Sequence, residues 1–133
     1  MAESKPSTFM WNELLTTDVE GARRFYADVI GWEPTSMPMP GEAGAQYHLW
    51  NVGGESIGGM LEMIGPQFAG VPPHWMAYVN VADVDACAAK VEKAGGKLAA
   101  APFDVPTIGR ICIIIDPAGA ALGLMTPVPR QAA

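Results

Sequence analysis

Four side chains in otherwise apolar stretches of this chain could carry chemistry: Glu13, Glu62, His48 and His74. A carboxylate held among apolar neighbours can act as a general base on an acidic C–H bond. A histidine grouped with two glutamates can bind zinc or nickel. The alternative is structural: His74 marks the entry of a strand, His48 is half-buried, and the glutamates are solvated or paired with cations such as Arg110.

The other chemically suggestive residues favour structural roles. Cys87 and Cys112 fall in an apparent helix and an apparent strand, and we expect both to be reduced and buried. The pairs Gly53-Gly54, Gly58-Gly59 and Gly95-Gly96 lack the strand-to-helix context of a phosphate-binding loop. They are interpreted as turn and helix-stop glycines.

Composition sets the class of protein. The chain has 133 residues, half of them apolar and 17% charged, which suits one domain with a substantial core and excludes a disordered acidic tail. The net charge of −6 argues against nucleic acid as a partner. The longest apolar run without glycine, residues 111–115, is far below the roughly 18 to 20 residues that span a bilayer, and residues 1–7 are polar. We expect a cytoplasmic protein without a membrane partner.

A weak internal repeat organises the chain. Asp18-Val19-Glu20 and Asp83-Val84-Asp85 each follow a short apolar segment and open a stretch that ends in glycine, at Gly31 and Gly96. The same offset of 65 residues aligns Gly54, Ile57, Gly58 and Met60 with Gly119, Leu122, Gly123 and Met125. The repeat predicts two modules, 1–66 and 67–133, that keep one register throughout.

Each module has the pattern of a βαβββ unit. Apolar residues recur at helical spacing after Asp18 and after Asp83, which are candidate N-caps. Alternating apolar segments separated by Pro/Gly turns predict the strands. The predicted strands are 9–16, 33–37, 45–52 and 56–63 in the first module, and 75–81, 97–101, 110–115 and 121–126 in the second, with turns at 38–41, 53–54, 101–109 and 116–119.

Two segments carry a family resemblance. Leu14-Leu15-Thr16-Thr17-Asp18, with Phe25-Tyr26 and Gly31-Trp32 behind it, resembles the opening of the vicinal oxygen chelate superfamily, which includes glyoxalases, bleomycin-resistance proteins and extradiol dioxygenases. Asp116-Pro117-Ala118-Gly119 resembles the last hairpin of that superfamily. The resemblance implies an α+β fold in which two βαβββ modules form an open half-barrel, with a ligand in the concave cleft and the helices outside. In many members the cleft also holds a divalent metal.

The metal places implied by the resemblance hold no metal donors here. Metal-binding members carry a His or Gln seven residues before the capping Asp, and a Glu seven residues after the Asp of the last turn. In this chain those places are Trp11, Met76 and Gly123, and the repeat makes Gly58 the fourth. None offers a nitrogen or oxygen ligand. We therefore expect no cofactor.

Strand alternation leaves one metal alternative. It places Glu13 on the face of Trp11, His74 on the face of Met76, and Glu62 on the face of Gly58. A shifted cluster of His74, Glu13 and Glu62 could then hold a divalent metal.

The same alternation predicts the lining of the cleft. It places large, soft side chains that suit a small organic ligand on one face, with Glu13 and Asn80 as the polar exceptions. The large side chains are Trp11, Met60, Met76, Tyr78 and Met125. These side chains could equally fill the cleft as core. Trp75, Ala77, Val79 and Val81 fall on the other face and are predicted to be core under the helices.

Three functions follow from this sequence. The first is a glyoxalase/bleomycin-resistance-like protein that binds a small, mainly apolar organic molecule without the family metal. The second is a lyase or isomerase of the same superfamily with Glu13 or Glu62 as general base. The third is a protein-interaction module with a closed cleft. The resemblance also implies a homodimer.

Overall fold

The computed structural model describes residues 5–38, 46–105 and 108–128. Its elements occur in the order βαβββ twice, and the predicted α+β class is confirmed. Within the described residues, neither α-helix is long and apolar enough to cross a membrane. The elements are β1 (Thr8–Thr16), α1 (Val19–Val29), β2 (Glu33–Pro38), β3 (Gln46–Val52), β4 (Glu55–Glu62), a 3₁₀ turn (Pro66–Phe68), β5 (His74–Asn80), α2 (Val84–Val91), β6 (Lys97–Val105), β7 (Gly109–Ile115) and β8 (Ala121–Pro127).

The chain forms two compact units. The central unit is Trp11–Met76, and the terminal unit combines the described residues up to Met10 with those from Ala77 onward. The division at residues 66 and 67 that the repeat predicts concerns sequence modules, and it differs from these units at both ends.

In the central unit the strands run in the order β2-β3-β4-β1, with β4 parallel to β1 and the other pairs antiparallel. Asp18 starts α1 by accepting a hydrogen bond from the Gly21 amide at 2.9 Å. The core between α1 and these strands consists of Leu14, Trp50 and Met60. Val19, Ala22, Tyr26 and Trp32 pack against it.

In the terminal unit the order is β5-β8-β7-β6, with β5 parallel to β8. Asp83 starts α2 by accepting from the Ala86 amide at 3.1 Å. Val84, Cys112 and Leu124 form the core under α2. Both cysteines are free thiols, and burial raises the pKa of Cys112.

The predicted turn at Asp116 is present. Its carboxylate accepts hydrogen bonds from the amides of Ala118, Gly119 and Ala120 at 2.9 to 3.0 Å, which holds the pKa of Asp116 below its ordinary value. Gly119 has a φ of +105°, a conformation that favours glycine. Local chemistry therefore specifies the β7–β8 hairpin.

One strand extends well beyond its predicted end. Strand β6 continues to Val105, whereas a turn was predicted from Ala101. Irregular pairing on both sides of Ala100 accommodates Pro102, and β6 is the last strand in its unit's order, where proline is tolerated. The predicted strand start at Ala45, residues 39–41 of one turn and residues 106–107 of another lie outside the described residues.

The offset that aligns the first half of the chain with the second changes by one residue between the first strand and the last strand of each half. Glu13 pairs with Gly59 on β4, and its counterpart Tyr78 pairs with Gly123 on β8. The offset is therefore 65 residues at the first strand and 64 at the last. Leu49 pairs with Gly59, and Ile113 pairs with Gly123. There are 17 residues between Gly31 and Leu49 but 16 between Gly96 and Ile113, so the first half has one residue more.

This change moves side chains to the opposite face of the sheet, because strand side chains alternate. Gly59, rather than Gly58, corresponds to Gly123. The prediction that Met60 and Glu62 share a face with Trp11 is therefore wrong. Met60 is fully buried in the core beneath α1, and Glu62 follows it on that face.

Candidate functional site

The candidate site lies on the face of the central unit that points away from α1. Leu14 and Met60 point into the core under the helix, so their neighbours Glu13 and Gly59, which pair with each other, point the other way. Tyr47 reaches the same place from β3, because its hydroxyl lies where a Cβ at Gly59 would stand. Trp11 is two residues before Glu13 and shares its face.

Three of these side chains form a hydrogen-bond chain. The indole Nε1–H of Trp11 donates to the Tyr47 hydroxyl at 3.0 Å, and that hydroxyl donates to Oε2 of Glu13 at 2.7 Å. Glu13 is only 8% exposed, so its carboxylate depends on such partners to replace water. These two hydrogen bonds fix the orientation of the half-buried Trp11 ring.

Sequence reasoning missed Tyr47. The pattern of residues 45–52 predicts a strand but does not show which of its faces Tyr47 occupies. The signal that could have identified it is Gly59 on the neighbouring strand. A tyrosine side chain can lie over the backbone of a neighbouring strand only where that strand has a residue without a side chain.

A matching arrangement occurs in the terminal unit. A Cβ added to Gly123 would overlap the ring of Tyr78, which pairs with it across β5 and β8. Tyr78, Gly123 and Met125 lie on the face away from α2, whereas Leu124 packs beneath that helix. Tyr78 and Met125 are both buried, at 8% and 6% exposure.

The positions at which the family resemblance implies metal ligands do not suit a metal ion in this chain. Tyrosine side chains take the space of any residue at Gly59 or Gly123, and the remaining two places hold Trp11 and the buried Met76. Among the residues that the structure describes, no group of three or more His, Cys, Asp or Glu side chains could hold an ion. The donor set therefore does not match the hard divalent cations that the family commonly binds.

The shifted cluster of His74, Glu13 and Glu62 is not assembled either. Nδ1 of His74 donates to the Pro72 carbonyl at 2.9 Å, which ties the ring to the entry of its strand. Glu62 is exposed on the side of α1, opposite Glu13.

His48 also lies on the α1 side, in a polar group of its own. Arg23 Nη1 donates to Ser36 Oγ at 3.1 Å, and Ser36 Oγ lies 3.0 Å from His48 Nδ1. Arg23 Nη1 is itself 3.5 Å from the same nitrogen, which must be unprotonated to accept. Burial, and then the Arg23 charge, lower the pKa of His48, while the charges of Glu20 and Glu62 act in the opposite sense.

The prediction that Trp75 is core is wrong in part. Its ring does lie on the helix side, where its Nε1–H donates to the Tyr26 hydroxyl at 3.2 Å. However, Trp75 remains 41% exposed, because it covers the edge of Tyr26 and is not itself covered. Ala77, Val79 and Val81 are half-buried.

Comparison with known proteins places the fold and its family. The family described as the Glyoxalase/Bleomycin resistance protein/Dioxygenase superfamily matches residues 8–124, and the chain belongs to it. The predicted vicinal oxygen chelate membership is thereby confirmed.

Its relatives are longer proteins. Over 128 residues the chain is 40% identical to "Putative glyoxylase CFP32" of Mycobacterium tuberculosis, covering 96% of this chain and 47% of the relative. It is 30% identical to anthracycline biosynthesis protein DnrV of Streptomyces peucetius, covering 93% of this chain and 48% of that protein. The chain thus spans about half the length of the curated relatives it matches.

Among solved structures, the fold is similar to methylmalonyl-CoA epimerase from Mycobacterium tuberculosis. The TM-score is 0.65 at 18% identity, over 97% of this chain and 94% of that one. At this identity the likeness concerns the fold alone.

The His48 group predicts a pH-dependent stability. Its folded-state pKa lies below the ordinary value of 6.5, so protonation favours the unfolded chain. The contribution of neutral His48 to the free energy of unfolding should be fully present above pH 6.5. It should fall as the pH drops from 6.5 toward the folded-state pKa. His48→Asn, which can still accept from Ser36 but does not titrate, should flatten this part of the melting-temperature profile.

The matched control is His74→Asn, which should keep the slope of the wild-type profile. An unchanged slope in His48→Asn would assign the effect to other groups.

Proposed function

We propose that this chain binds a small, planar, mainly apolar organic molecule on the face formed by Trp11, Glu13 and Tyr47, without the divalent metal of its family. The observation that carries the proposal is the close approach of Tyr47 to Gly59. It replaces a metal-ligand place with an aromatic ring whose hydroxyl joins Trp11 to Glu13.

The chemistry of this face suits such a ligand. An indole offers a flat stacking surface, and Trp11 is held in one orientation by its hydrogen bond to Tyr47. A ring that is already fixed loses little further freedom when a ligand stacks on it. Glu13 and the Tyr47 hydroxyl supply polar groups beside the indole, and a few such groups fix the orientation of a small molecule in its site.

The names of the relatives fit this ligand class. One relative is named for anthracycline biosynthesis, and anthracyclines are built on fused planar rings. The other is named as a glyoxylase, so small carbonyl compounds form a second group of ligands to test. Each relative is about twice as long as the matched region. Its name therefore supports the proposal only as far as the matched half takes part in the activity of the whole protein.

Trp11→Ala tests the site directly. Truncating a side chain that lines an open site should reduce the free energy of unfolding by about 1 kcal/mol, whereas a tryptophan in a filled core would cost about 3 to 5 kcal/mol. The same change should weaken binding of a hydroxyanthraquinone probe at least tenfold, because the stacking surface is lost. Urea denaturation and isothermal titration calorimetry measure the two effects.

Trp75→Ala is the matched control, since it removes an indole of the same size from the helix side and should leave probe binding unchanged. A loss of 3 to 5 kcal/mol in Trp11→Ala would reject the ligand site and favour the interaction module with a filled cleft.

Metal independence has its own test. Untagged protein should contain far less than one equivalent of nickel, zinc, manganese or iron, and EDTA should leave its melting temperature unchanged, because the metal places lack donors. Elemental analysis and thermal melts with and without chelator provide the measurement. A one-to-one metal content together with a melting temperature that falls on chelation would contradict the proposal.

A second candidate function is a lyase or isomerase in which Glu13 is the general base. The observation that favours it is the buried carboxylate, which Tyr47 orients by a hydrogen bond from its hydroxyl. Of the two glutamates predicted for this role, Glu13 alone shares a face with Trp11. A carboxylate so placed could remove the proton from a carbon next to a carbonyl group.

Glu13→Gln separates the two functions. In deuterium oxide, catalysis requires that the wild type exchange the acidic C–H of a carbonyl compound for deuterium, observed by NMR, and that Glu13→Gln lose at least a hundredfold in that rate. The amide keeps the shape of the carboxylate, so binding of the hydroxyanthraquinone probe should change little. Absence of exchange in the wild type with a panel of such compounds would leave binding as the function.

A further inference from the structure

A serine and a histidine face each other on the α1 side of the central unit. Ser36 on β2 and His48 on β3 are direct partners in the antiparallel pair, so their side chains lie on the same face of the sheet. Ser36 Oγ is 3.0 Å from His48 Nδ1, and Arg23 of α1 places Nη1 3.1 Å from the same Oγ. His48 and Arg23 are half-buried but Ser36 is exposed, so a small molecule can reach its hydroxyl from solvent.

The hydrogen bonds of this group determine where the serine proton lies. A guanidinium has no acceptor, so Arg23 can only donate to Ser36 Oγ. The ion pair of Arg23 with Glu20 uses Nε, at 3.9 Å, and leaves Nη1 for the serine. The hydroxyl proton of Ser36 is then directed to His48 Nδ1, which is 3.0 Å from Oγ but 3.5 Å from Arg23 Nη1. A hydroxyl that donates to a neutral imidazole is arranged to act as a nucleophile.

The charges around His48 determine its strength as a base. Burial and the charge of Arg23 lower the pKa of His48, and the charges of Glu20 on α1 and Glu62 on β4 oppose them only in part. The imidazole is therefore neutral near pH 7 and can accept a proton, but it is a weak base. A weak base suits an ester whose leaving group is a stable anion, such as an aryl ester, rather than an alkyl ester or an amide.

We propose that Ser36 is a nucleophile that takes the acyl group from small aryl esters, with His48 as its general base. Ser36 Oγ forms a bond to the carbonyl carbon as its proton passes to His48 Nδ1. The bond from that carbon to the aryl oxygen breaks, and the phenol leaves with the proton from His48. Water, deprotonated by His48, then cleaves the acyl–serine bond and releases the carboxylic acid.

Arg23 has a separate role in this reaction. Its Nη1 lies 3.1 Å from the attacking oxygen, close to where negative charge develops in the tetrahedral intermediate, and its positive charge stabilises that intermediate. The group lies on the α1 side of the sheet, and the Trp11–Glu13–Tyr47 face lies on the other side. The inference therefore does not rest on the proposed ligand.

The probe for this activity is p-nitrophenyl acetate. The wild type should release p-nitrophenolate at least tenfold faster than Ser36→Ala, and acid-quenched wild-type samples should carry an acetyl group on Ser36, located by peptide mass spectrometry. His48→Asn should slow acetylation of Ser36 about a hundredfold, because an amide cannot take the proton. The double variant Ser36→Ala/His48→Asn should be no slower than Ser36→Ala alone, since the two residues act as a unit.

Ser56→Ala is the matched control. Its hydroxyl donates to the Asn51 amide oxygen at 2.8 Å, which cannot remove the proton, so this variant should keep the wild-type rate. Circular dichroism checks that each variant is folded. The position of the acetyl group is measured in the wild type and is independent of the folding of any variant.

The pH profile tests the role of the base. The Ser36-dependent rate should rise with pH as His48 loses its proton and should be half-maximal below pH 6.5. Arg23→Gln should move this midpoint to higher pH, because the lost charge no longer lowers the pKa of His48.

Three results would each overturn the proposal. They are equal rates in the wild type and Ser36→Ala, acetyl groups on other residues but not on Ser36, and unchanged acetylation of Ser36 in His48→Asn.

Discussion

The close approach of Tyr47 to Gly59 is the constraint on which the candidate site depends. A tyrosine that crosses to the neighbouring strand requires a residue without a Cβ, and glycine is the only one. The same requirement holds for Tyr78 and Gly123 in the terminal unit. In both units, an aromatic ring and a glycine together occupy the place where a metal ligand would project.

The hydroxyl of Tyr47 couples this packing to the electrostatics of the site. It lets Glu13 remain in a nearly buried position by donating to its carboxylate, and it accepts from Trp11 at the same time. The three side chains therefore form one unit, in which a change to any one removes a partner from another. On the opposite side, His48, Ser36 and Arg23 form a separate polar group beneath α1.

Membership of a superfamily that hosts many chemistries defines the fold and leaves the reaction open. In this chain, the ligand places implied by the family resemblance hold Trp11, Met76 and two glycines that are covered by tyrosine side chains. The face that results is suited to stacking and to a few oriented hydrogen bonds.

The sequence by itself determined the two βαβββ halves, the helix starts at Asp18 and Asp83, and the turn at Asp116, because capping, periodicity and turn formation act over a few residues. The resemblance to the superfamily implied that the ligand places hold no donors, and it put the fourth of them at Gly58, whereas the strand pairing makes it Gly59. Only the tertiary structure decided which face Met60 and Glu62 occupy. The first half has one residue more between Gly31 and Leu49 than the second has between Gly96 and Ile113, which reverses every side chain on β4 relative to the repeat. The tertiary structure also decided the role of Tyr47 and the exposure of Trp75, because both depend on a partner strand or helix far away in the chain, which no local pattern specifies.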